Sequence, residues 1–154
     1  MSRSVLFVCL GNICRSPLAE GALRHECLSA GLDVITDSAG TGDWHVGHAP
    51  DERAQKVAMK NGVDIGHLRA RQVTKADFHD FDMVIALDGQ NLRDLFAMQP
   101  ARSIARLSLL LDHVEGRAGE DVIDPYYGQE DGFDQTWADV TRAAKTIRQL
   151  LQAG

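Results

Sequence analysis

The chain has 154 residues, the length of one ordinary domain, and its 44% hydrophobic and 25% charged residues exclude a disordered, collagen-like or coiled-coil protein. Sixteen Lys and Arg against 22 Asp and Glu give a formal net charge of −6, which argues against nucleic-acid binding. No apolar run approaches the roughly 20 residues of a membrane span, and the four apolar residues after Ser4 are too few for a signal-peptide core. We therefore expect one cytoplasmic domain over residues 1–154.

The first half of the chain predicts strands and helices in alternation. A continuous apolar run before Cys9 is typical of a strand buried on both faces. Ser16 is expected to cap the helix that follows, Pro17 suits its first turn, and Gly31 ends it. The predicted elements are strands over 4–9 and 33–38, and helices over 17–30 and from Pro50 to about 61.

The second half continues the same alternation. Strands are predicted over 81–87 and 104–109, with a short helix over 91–98 between them. A long C-terminal helix is expected, because apolar residues from Phe133 to Leu151 recur three and four positions apart. Alternating strands and helices indicate an α/β fold, here a four-stranded parallel sheet covered on both faces. We expect the flavodoxin-like order 2-1-3-4, with a ligand at the carboxyl ends of the strands.

The segment from Cys9 to Arg15, called the thiol loop below, follows the first strand directly. Six Cα steps have a contour of about 23 Å, which closes into a ring of about 3.5 Å radius. Such a ring matches the distance from phosphorus to an amide nitrogen that hydrogen-bonds a phosphate oxygen. The amides, the next helix N-terminus and Arg15 favour the thiolate form of Cys9. The planar guanidinium of Arg15 suits two phosphate oxygens at once.

The cysteine and histidine content predicts no metal site. Cys9, Cys14 and Cys27 all lie in the first 27 residues, which supports neither a disulfide framework nor a four-ligand zinc site. The six histidines show no convincing ligand spacing. In a reducing compartment, a cysteine cluster of this kind indicates a reactive thiol with neighbours.

Four motifs together resemble the low-molecular-weight protein tyrosine phosphatases. They are V-C-L-G-N-I-C-R-S-P at the N-terminus, D-S-A-G-T after the second strand, Pro50-Asp51-x-Arg53-Ala54, and Asp124-Pro125-Tyr126-Tyr127. The resemblance covers essentially the whole chain in order and spacing. It implies hydrolysis of phosphotyrosine and aryl phosphate monoesters through a phosphocysteine intermediate, without metal or cofactor. The partners would be tyrosine-phosphorylated proteins or small aryl phosphates.

The resemblance also implies a role for particular residues. Cys9 would be the nucleophile, Arg15 the phosphate clamp, and Asp124 the general acid and base. His45 departs from the Asn expected beside Trp44 in many eukaryotic members, so substrate preference does not carry over. The residues expected to bind substrate are Leu10, Gly11, Asn12, Ile13, Cys14, Trp44 and Tyr126, and those expected to support the loop are Ser16, Ser38, His67 and Asp88.

Several alternatives stay open at the level of sequence. Asp88 either fixes the Arg15 guanidinium or caps a helix, and Cys14 is either a redox partner that traps oxidised Cys9 as a disulfide or a small buried residue. Tyr126 and Tyr127 resemble a pair that is phosphorylated in some relatives. The rival functions are an arsenate reductase of the same fold and a non-catalytic phosphotyrosine-binding or redox-sensing module. A monomer is favoured.

Overall fold

The computed structural model describes residues 3–129 and 131–153, so the ends of the predicted domain, 1–2 and 154, and residue 130 lie outside the described residues. Within these ranges the chain alternates between strands and helices, as the sequence predicts. The strands are β1 Arg3–Cys9, β2 Val34–Gly40, β3 Met83–Ala86 and β4 Arg106–Leu109. The helices are α1 Arg15–Ser29, α2 Glu52–Lys60, α3 Asp77–Asp80, α4 Gly89–Met98 and α5 Asp131–Ala153, with a 3-10 turn at Leu110–His113.

The four strands form one parallel sheet in the order β2-β1-β3-β4, which confirms the predicted fold and strand order. β1 lies in the centre and pairs with β2 along its whole length, so that Cys9 is opposite Gly40. The carboxyl ends of β1 and β2 therefore meet at one edge of the sheet. The topology places the thiol loop at this edge.

The sheet has a hydrophobic core on each face, and β1 contributes to both. Val5 and Phe7 pack on the side of α1 and α5, whereas Leu6 and Val8 pack on the opposite side. This alternation explains the continuous apolar run of β1, since both faces of the strand are covered. In the described part of the chain, no helix has the length and apolarity to cross a membrane.

The structure corrects the predicted start of the first helix. α1 begins at Arg15, Cys14 occupies the N-cap position, and no side chain caps the helix by a hydrogen bond. The prediction that Ser16 is the cap is therefore wrong, because its hydroxyl lies inside the first turn and faces Cys9 instead. In α2 the capping residue is Asp51, which accepts a hydrogen bond from the Arg53 amide, and Pro50 precedes the cap.

Candidate active site

The thiol loop is fastened to the chain segment that follows β2. The amides of Thr41 and Gly42 donate to the carbonyls of Cys9 and Leu10, both at 2.9 Å. Gly40 permits this approach, since a Cβ at that position would lie 2.8 Å from the Leu10 carbonyl oxygen. Only the end of the D-S-A-G-T motif, Gly40 and Thr41, supports the loop, and the prediction that this motif follows the second strand is wrong, because β2 extends to Gly40.

Within the loop, Asn12 adopts a left-handed backbone conformation with φ of 57°. This conformation turns its amide toward Cys9, and the N–H donates to the Cys9 sulfur at 3.3 Å. Asparagine is one of the few residue types that tolerate this region at modest cost. The Asn12 side chain points into the protein, and Asn12 is not among the residues that line the cavity described below.

A buried hydrogen-bond network holds the sulfur from below. The Ser16 hydroxyl lies 3.0 Å from the Cys9 sulfur, and the Asn12 Nδ2 donates to Ser16 Oγ at 2.8 Å and to Ser38 Oγ at 2.9 Å. Ser16 Oγ accepts from Asn12, and its own proton has two acceptors within reach, the Cys9 sulfur and the Ala39 carbonyl at 3.5 Å. This arrangement places the Ser16 hydroxyl and the Asn12 amide against the Cys9 sulfur.

The network ends at a carboxylate that sequence reasoning missed. Ser38 Oγ donates to Glu20 Oε1 at 2.6 Å, and Glu20, which is only 3% exposed, forms an ion pair with Arg24 one helical turn later. Burial raises the pKa of Glu20, although the Ser38 hydrogen bond and Arg24 oppose this effect. In the sequence Glu20 is an ordinary polar residue of a helix, and no pattern marks it as buried.

The prediction that His67 supports the thiol loop is wrong, since His67 is not part of the network around Asn12. The Asn12 Oδ1 accepts instead from the backbone amide of Arg71, at 3.0 Å. The Arg71 side chain is itself held by Asp37 and Asp77. His67 is exposed and lines a separate surface pocket with other residues, among them Gly21, Arg24 and Gly62.

Arg15 is buried, and its guanidinium is fixed by two partners. One of its terminal nitrogens donates to Asp88 Oδ2 at 2.7 Å and to the Val122 carbonyl at 3.0 Å. Burial lowers the pKa of Arg15, but the Cys9 sulfur, Asp88 and Asp124 outweigh this effect and raise it overall. Asp88 also accepts from the Asn91 amide as the cap of α4, so both interpretations of Asp88 hold.

The second guanidinium nitrogen of Arg15 faces Asp124. The distance from this nitrogen to Asp124 Oδ2 is 3.5 Å, and Asp124 Oδ1 accepts from the Tyr126 amide at 3.1 Å. Residues 121–129 are called the Asp124 loop below. The structure brings together the three residues predicted to be catalytic, Cys9, Arg15 and Asp124, in the lining of one cavity.

This cavity has a volume of about 370 Å³, with Cys9 at its deep end and aromatic side chains at its opening. Trp44 is 67% exposed and Tyr126 36%, as expected for walls that contact a ligand and not the core. The Trp44 indole packs on Gly42, where a Cβ would lie 2.0 Å from the ring. The remaining lining residues are Leu10, Gly11, Ile13, Cys14, Arg15, His45, Asp124 and Tyr127.

Cys14 lines the same cavity but is buried, and all three cysteines are free thiols. Burial, together with the negative charge of Asp51, raises the pKa of Cys14 well above its usual range. The two loop thiols thus have different environments, since the Cys9 sulfur accepts a hydrogen bond from the Asn12 amide. No group of three His, Cys, Asp or Glu in residues 3–129 and 131–153 is placed to hold a metal ion.

The sheet order and the loop together define a class: α/β proteins that bind a tetrahedral oxyanion above a cysteine sulfur. Residues 4–154 match the family model described as low molecular weight phosphotyrosine protein phosphatase. The chain therefore belongs to this family.

Individual relatives agree with the family match. A low molecular weight phosphotyrosine protein phosphatase of Schizosaccharomyces pombe is 47% identical over 132 residues, 84% of each chain. A protein tyrosine phosphatase structure from Entamoeba histolytica matches with a TM-score of 0.93 and 34% identity, covering 99% of this chain and 98% of that one. A structure of a drosophila arginine phosphatase matches with a TM-score of 0.91 and 31% identity, covering 96% and 97%.

Proposed function

We propose that this protein hydrolyses phosphotyrosine and aryl phosphate monoesters through a phosphocysteine intermediate. One observation carries the proposal: the Cys9 sulfur lies at the deep end of a cavity and accepts hydrogen bonds there, with Arg15 and Asp124 beside it. A nucleophile, an oxyanion clamp and a proton donor are the three groups that such a reaction requires.

In the first step the Cys9 thiolate attacks phosphorus, and the bond to the leaving oxygen breaks. The loop amides and Arg15 bind the equatorial oxygens, where negative charge is stabilised in the transition state. Asp124, in its protonated form, transfers its proton to the leaving phenolate. Asp88 contributes indirectly, because it fixes the direction of the Arg15 guanidinium.

In the second step water attacks the phosphocysteine. Asp124, now a carboxylate, accepts a proton from that water, and the sulfur leaves as a thiolate. The Ser16 hydroxyl and the Asn12 amide stabilise the thiolate as it departs. Inorganic phosphate is the product, and the enzyme returns to its starting state.

The aromatic walls favour a flat substrate over a short aliphatic one. Trp44 and Tyr126 line the opening, and Cys9 lies deeper, so a phosphate on a long planar stem reaches the sulfur best. A structural neighbour is named an arginine phosphatase. The preference is therefore tested by comparing hydrolysis rates for a phosphotyrosine peptide and a phosphoarginine peptide. We expect this protein to prefer phosphotyrosine.

Partners and location follow from the same interpretation. We propose that residues 1–154 act as one monomeric phosphatase domain on tyrosine-phosphorylated proteins or small aryl phosphates in the cytoplasm. Three free thiols suit a reducing compartment. Sedimentation of the purified protein measures its oligomeric state. A predominant dimer at assay concentrations would refute the proposal that the protein is a monomer.

The decisive experiment measures p-nitrophenyl phosphate hydrolysis by the wild type, Cys9→Ser and the control Cys27→Ala. We expect wild-type turnover that vanadate inhibits and that a chelator does not, no turnover by Cys9→Ser, and activity in the control, whose sulfur lies in the core beside α5. Substantial turnover by Cys9→Ser would exclude Cys9 as the nucleophile. Phosphotyrosine binding without turnover in the wild type would instead support a binding module.

A further inference from the structure

One arginine connects the segments that surround the cavity. Arg53, in the first turn of α2, donates through Nε and a terminal nitrogen to the two carboxylate oxygens of Asp51, both at 3.0 Å. The same terminal nitrogen donates to the Tyr126 carbonyl at 3.1 Å. Its guanidinium carbon also lies 4.7 Å from the centre of the Phe133 ring and 5.6 Å from that of Tyr126.

The contacts of Arg53 continue in both directions to the reacting groups. The Asp51 amide donates to the Ile13 carbonyl in the thiol loop, at 2.8 Å. On the other side, the Tyr126 amide donates to Asp124 Oδ1 at 3.1 Å. An unbroken series of contacts therefore runs from the thiol loop through Asp51, Arg53 and Tyr126 to the carboxylate of Asp124.

The Asp124 loop is held by an arginine on each side of Asp124. Before this residue, the Val122 carbonyl accepts from Arg15 at 3.0 Å. After it, the Tyr126 carbonyl accepts from Arg53. Removing the second contact frees the half of the loop that carries the Tyr126 amide, the donor that orients the Asp124 carboxylate.

We propose that Arg53 is a positioning residue, which holds Asp124 where it transfers its proton to the leaving oxygen. Arg53 itself touches neither the substrate nor the reacting atoms. The inference rests on the proposed function and adds to it the group that fixes the acid. Proton transfer requires a heavy-atom distance of about 2.6–3.2 Å, and a displacement of about 1 Å costs on the order of 10²-fold in rate.

The proposal makes the effect of Arg53 depend on the leaving group. In the first step a sulfur–phosphorus bond forms, the phosphorus–oxygen bond breaks, and the proton of Asp124 goes to the departing oxygen. The anion of a strongly acidic phenol is stable enough to leave without that proton. The anion of phenol itself is not, and it must be protonated as it leaves. A general loss of folding or of phosphate binding would lower the hydrolysis rates of both kinds of ester by the same factor.

The experiment compares kcat/KM for dinitrophenyl phosphate and phenyl phosphate in wild type, Arg53→Ala, Arg53→Lys and Asp124→Ala. Asp124→Ala gives the effect of removing the acid entirely, a decrease in kcat/KM of about 10²–10⁴-fold on phenyl phosphate. For Arg53→Ala we expect a loss of roughly 10–10²-fold on phenyl phosphate and less than about threefold on dinitrophenyl phosphate. Arg53→Lys falls between, since lysine keeps the charge but lacks the fork that holds two partners.

Arg148→Ala is the matched control, because Arg148 also pairs with a carboxylate, Glu26, but lies outside the cavity. We expect wild-type behaviour from it on both esters. In the Asp124→Ala background, Arg53→Ala should add nothing to the leaving-group dependence, since both changes remove the same proton transfer. Vanadate inhibition reports the thiol loop and should stay near the wild-type value in Arg53→Ala.

Equal losses on both esters, or full additivity with Asp124→Ala, would overturn the positioning role. If Arg53→Ala does not fold, Asp51→Asn carries the test, because asparagine still caps α2 but weakens the hold on Arg53. A wild type inactive on every ester refutes the proposed function. An active wild type with leaving-group-independent losses refutes only the inference about Arg53.

Discussion

The deep end of the cavity and its opening are built in opposite ways. Around Cys9 the polar side chains are buried and each has a fixed partner, so that Asn12, Ser16, Ser38 and Glu20 form one continuous hydrogen-bond network. At the opening the side chains are aromatic and exposed, and Tyr127 reaches 90% exposure. The network is coupled to the fold, whereas the opening is free to vary.

This difference teaches where rate and selectivity reside. A buried network in which every polar group is hydrogen-bonded is rigid, and removing one group weakens the position of its neighbour. Exposed aromatic residues contribute contact area to a ligand but little to folding. We therefore expect changes at the deep end to lower both stability and turnover, and changes at the opening to act on KM.

The largest of the three effects below is expected at Glu20. Glu20→Ala leaves the buried Ser38 hydroxyl without an acceptor, which costs about 1–3 kcal/mol of unfolding free energy. It also disorders the donors to Cys9, and we expect kcat/KM to fall about tenfold, equivalent to about 1.4 kcal/mol. Chemical denaturation and p-nitrophenyl phosphate kinetics measure the two effects.

Glu20→Gln is the matched variant, because its amide oxygen still accepts from Ser38, and we expect near wild-type turnover. It also carries a pH test. Because burial raises the pKa of Glu20 above the ordinary 4.5, this carboxyl stabilises the fold at lower pH, and that contribution is lost as pH rises through the raised value. In Glu20→Gln the free energy of unfolding should not show this decrease with rising pH. If the pH dependence of unfolding is the same in Glu20→Gln and wild type, Glu20 is not its source.

A smaller effect is expected at the opening of the cavity. An aromatic contact contributes about 0.5–1.5 kcal/mol, so Trp44→Ala should raise KM for aryl phosphates by about 2–10-fold. The unfolding free energy should not change, because the indole is mostly exposed. A fall in kcat with KM unchanged would mean that Trp44 belongs to the catalytic apparatus instead.

The smallest effect under reducing conditions is expected at Cys14, which lies between the two regions. We expect Cys14→Ser to keep its activity until peroxide is added. Oxidised Cys9, a sulfenic acid, condenses with the Cys14 thiol to a disulfide and water, and a reductant reverses this. The wild type should therefore regain more activity than Cys14→Ser after peroxide and reductant, and equal recovery would remove this role from Cys14.

The sequence predicted the sheet well because two of its strands, β1 and β3, are continuous apolar runs and helices separate the strands. The run before Cys9 gave β1, and the helix–strand alternation gave the parallel order. Boundaries were less accurate: the third strand is Met83–Ala86 and not 81–87, and the fourth begins at Arg106 and not at 104. Strand ends depend on pairing with neighbours, which composition does not encode.

Predictions of individual side-chain contacts succeeded where a motif or a family position marks the residue, as for Arg15 and Asp88, which lie 73 positions apart, and failed where nothing marks it. The order of Cys9 and Arg15 in one loop indicated their proximity. The contacts of Glu20 with Ser38 and of Arg53 with the Tyr126 carbonyl were missed, because no residue pattern indicates a buried carboxylate or a bond to a backbone oxygen. His67 was placed wrongly because it was matched to a supporting position of the family. In this structure the backbone amide of Arg71 is the partner of the Asn12 side chain.

The left-handed Asn12 and its satisfied hydrogen bonds have a consequence for regulation. A loop that is already held in place loses little conformational entropy on binding a ligand, and in the proposed reaction inorganic phosphate is such a ligand, as is the phosphoryl group of an ester. The reaction's own product thus competes for the cavity. Turnover in a living cell would then decline as the free phosphate concentration rises.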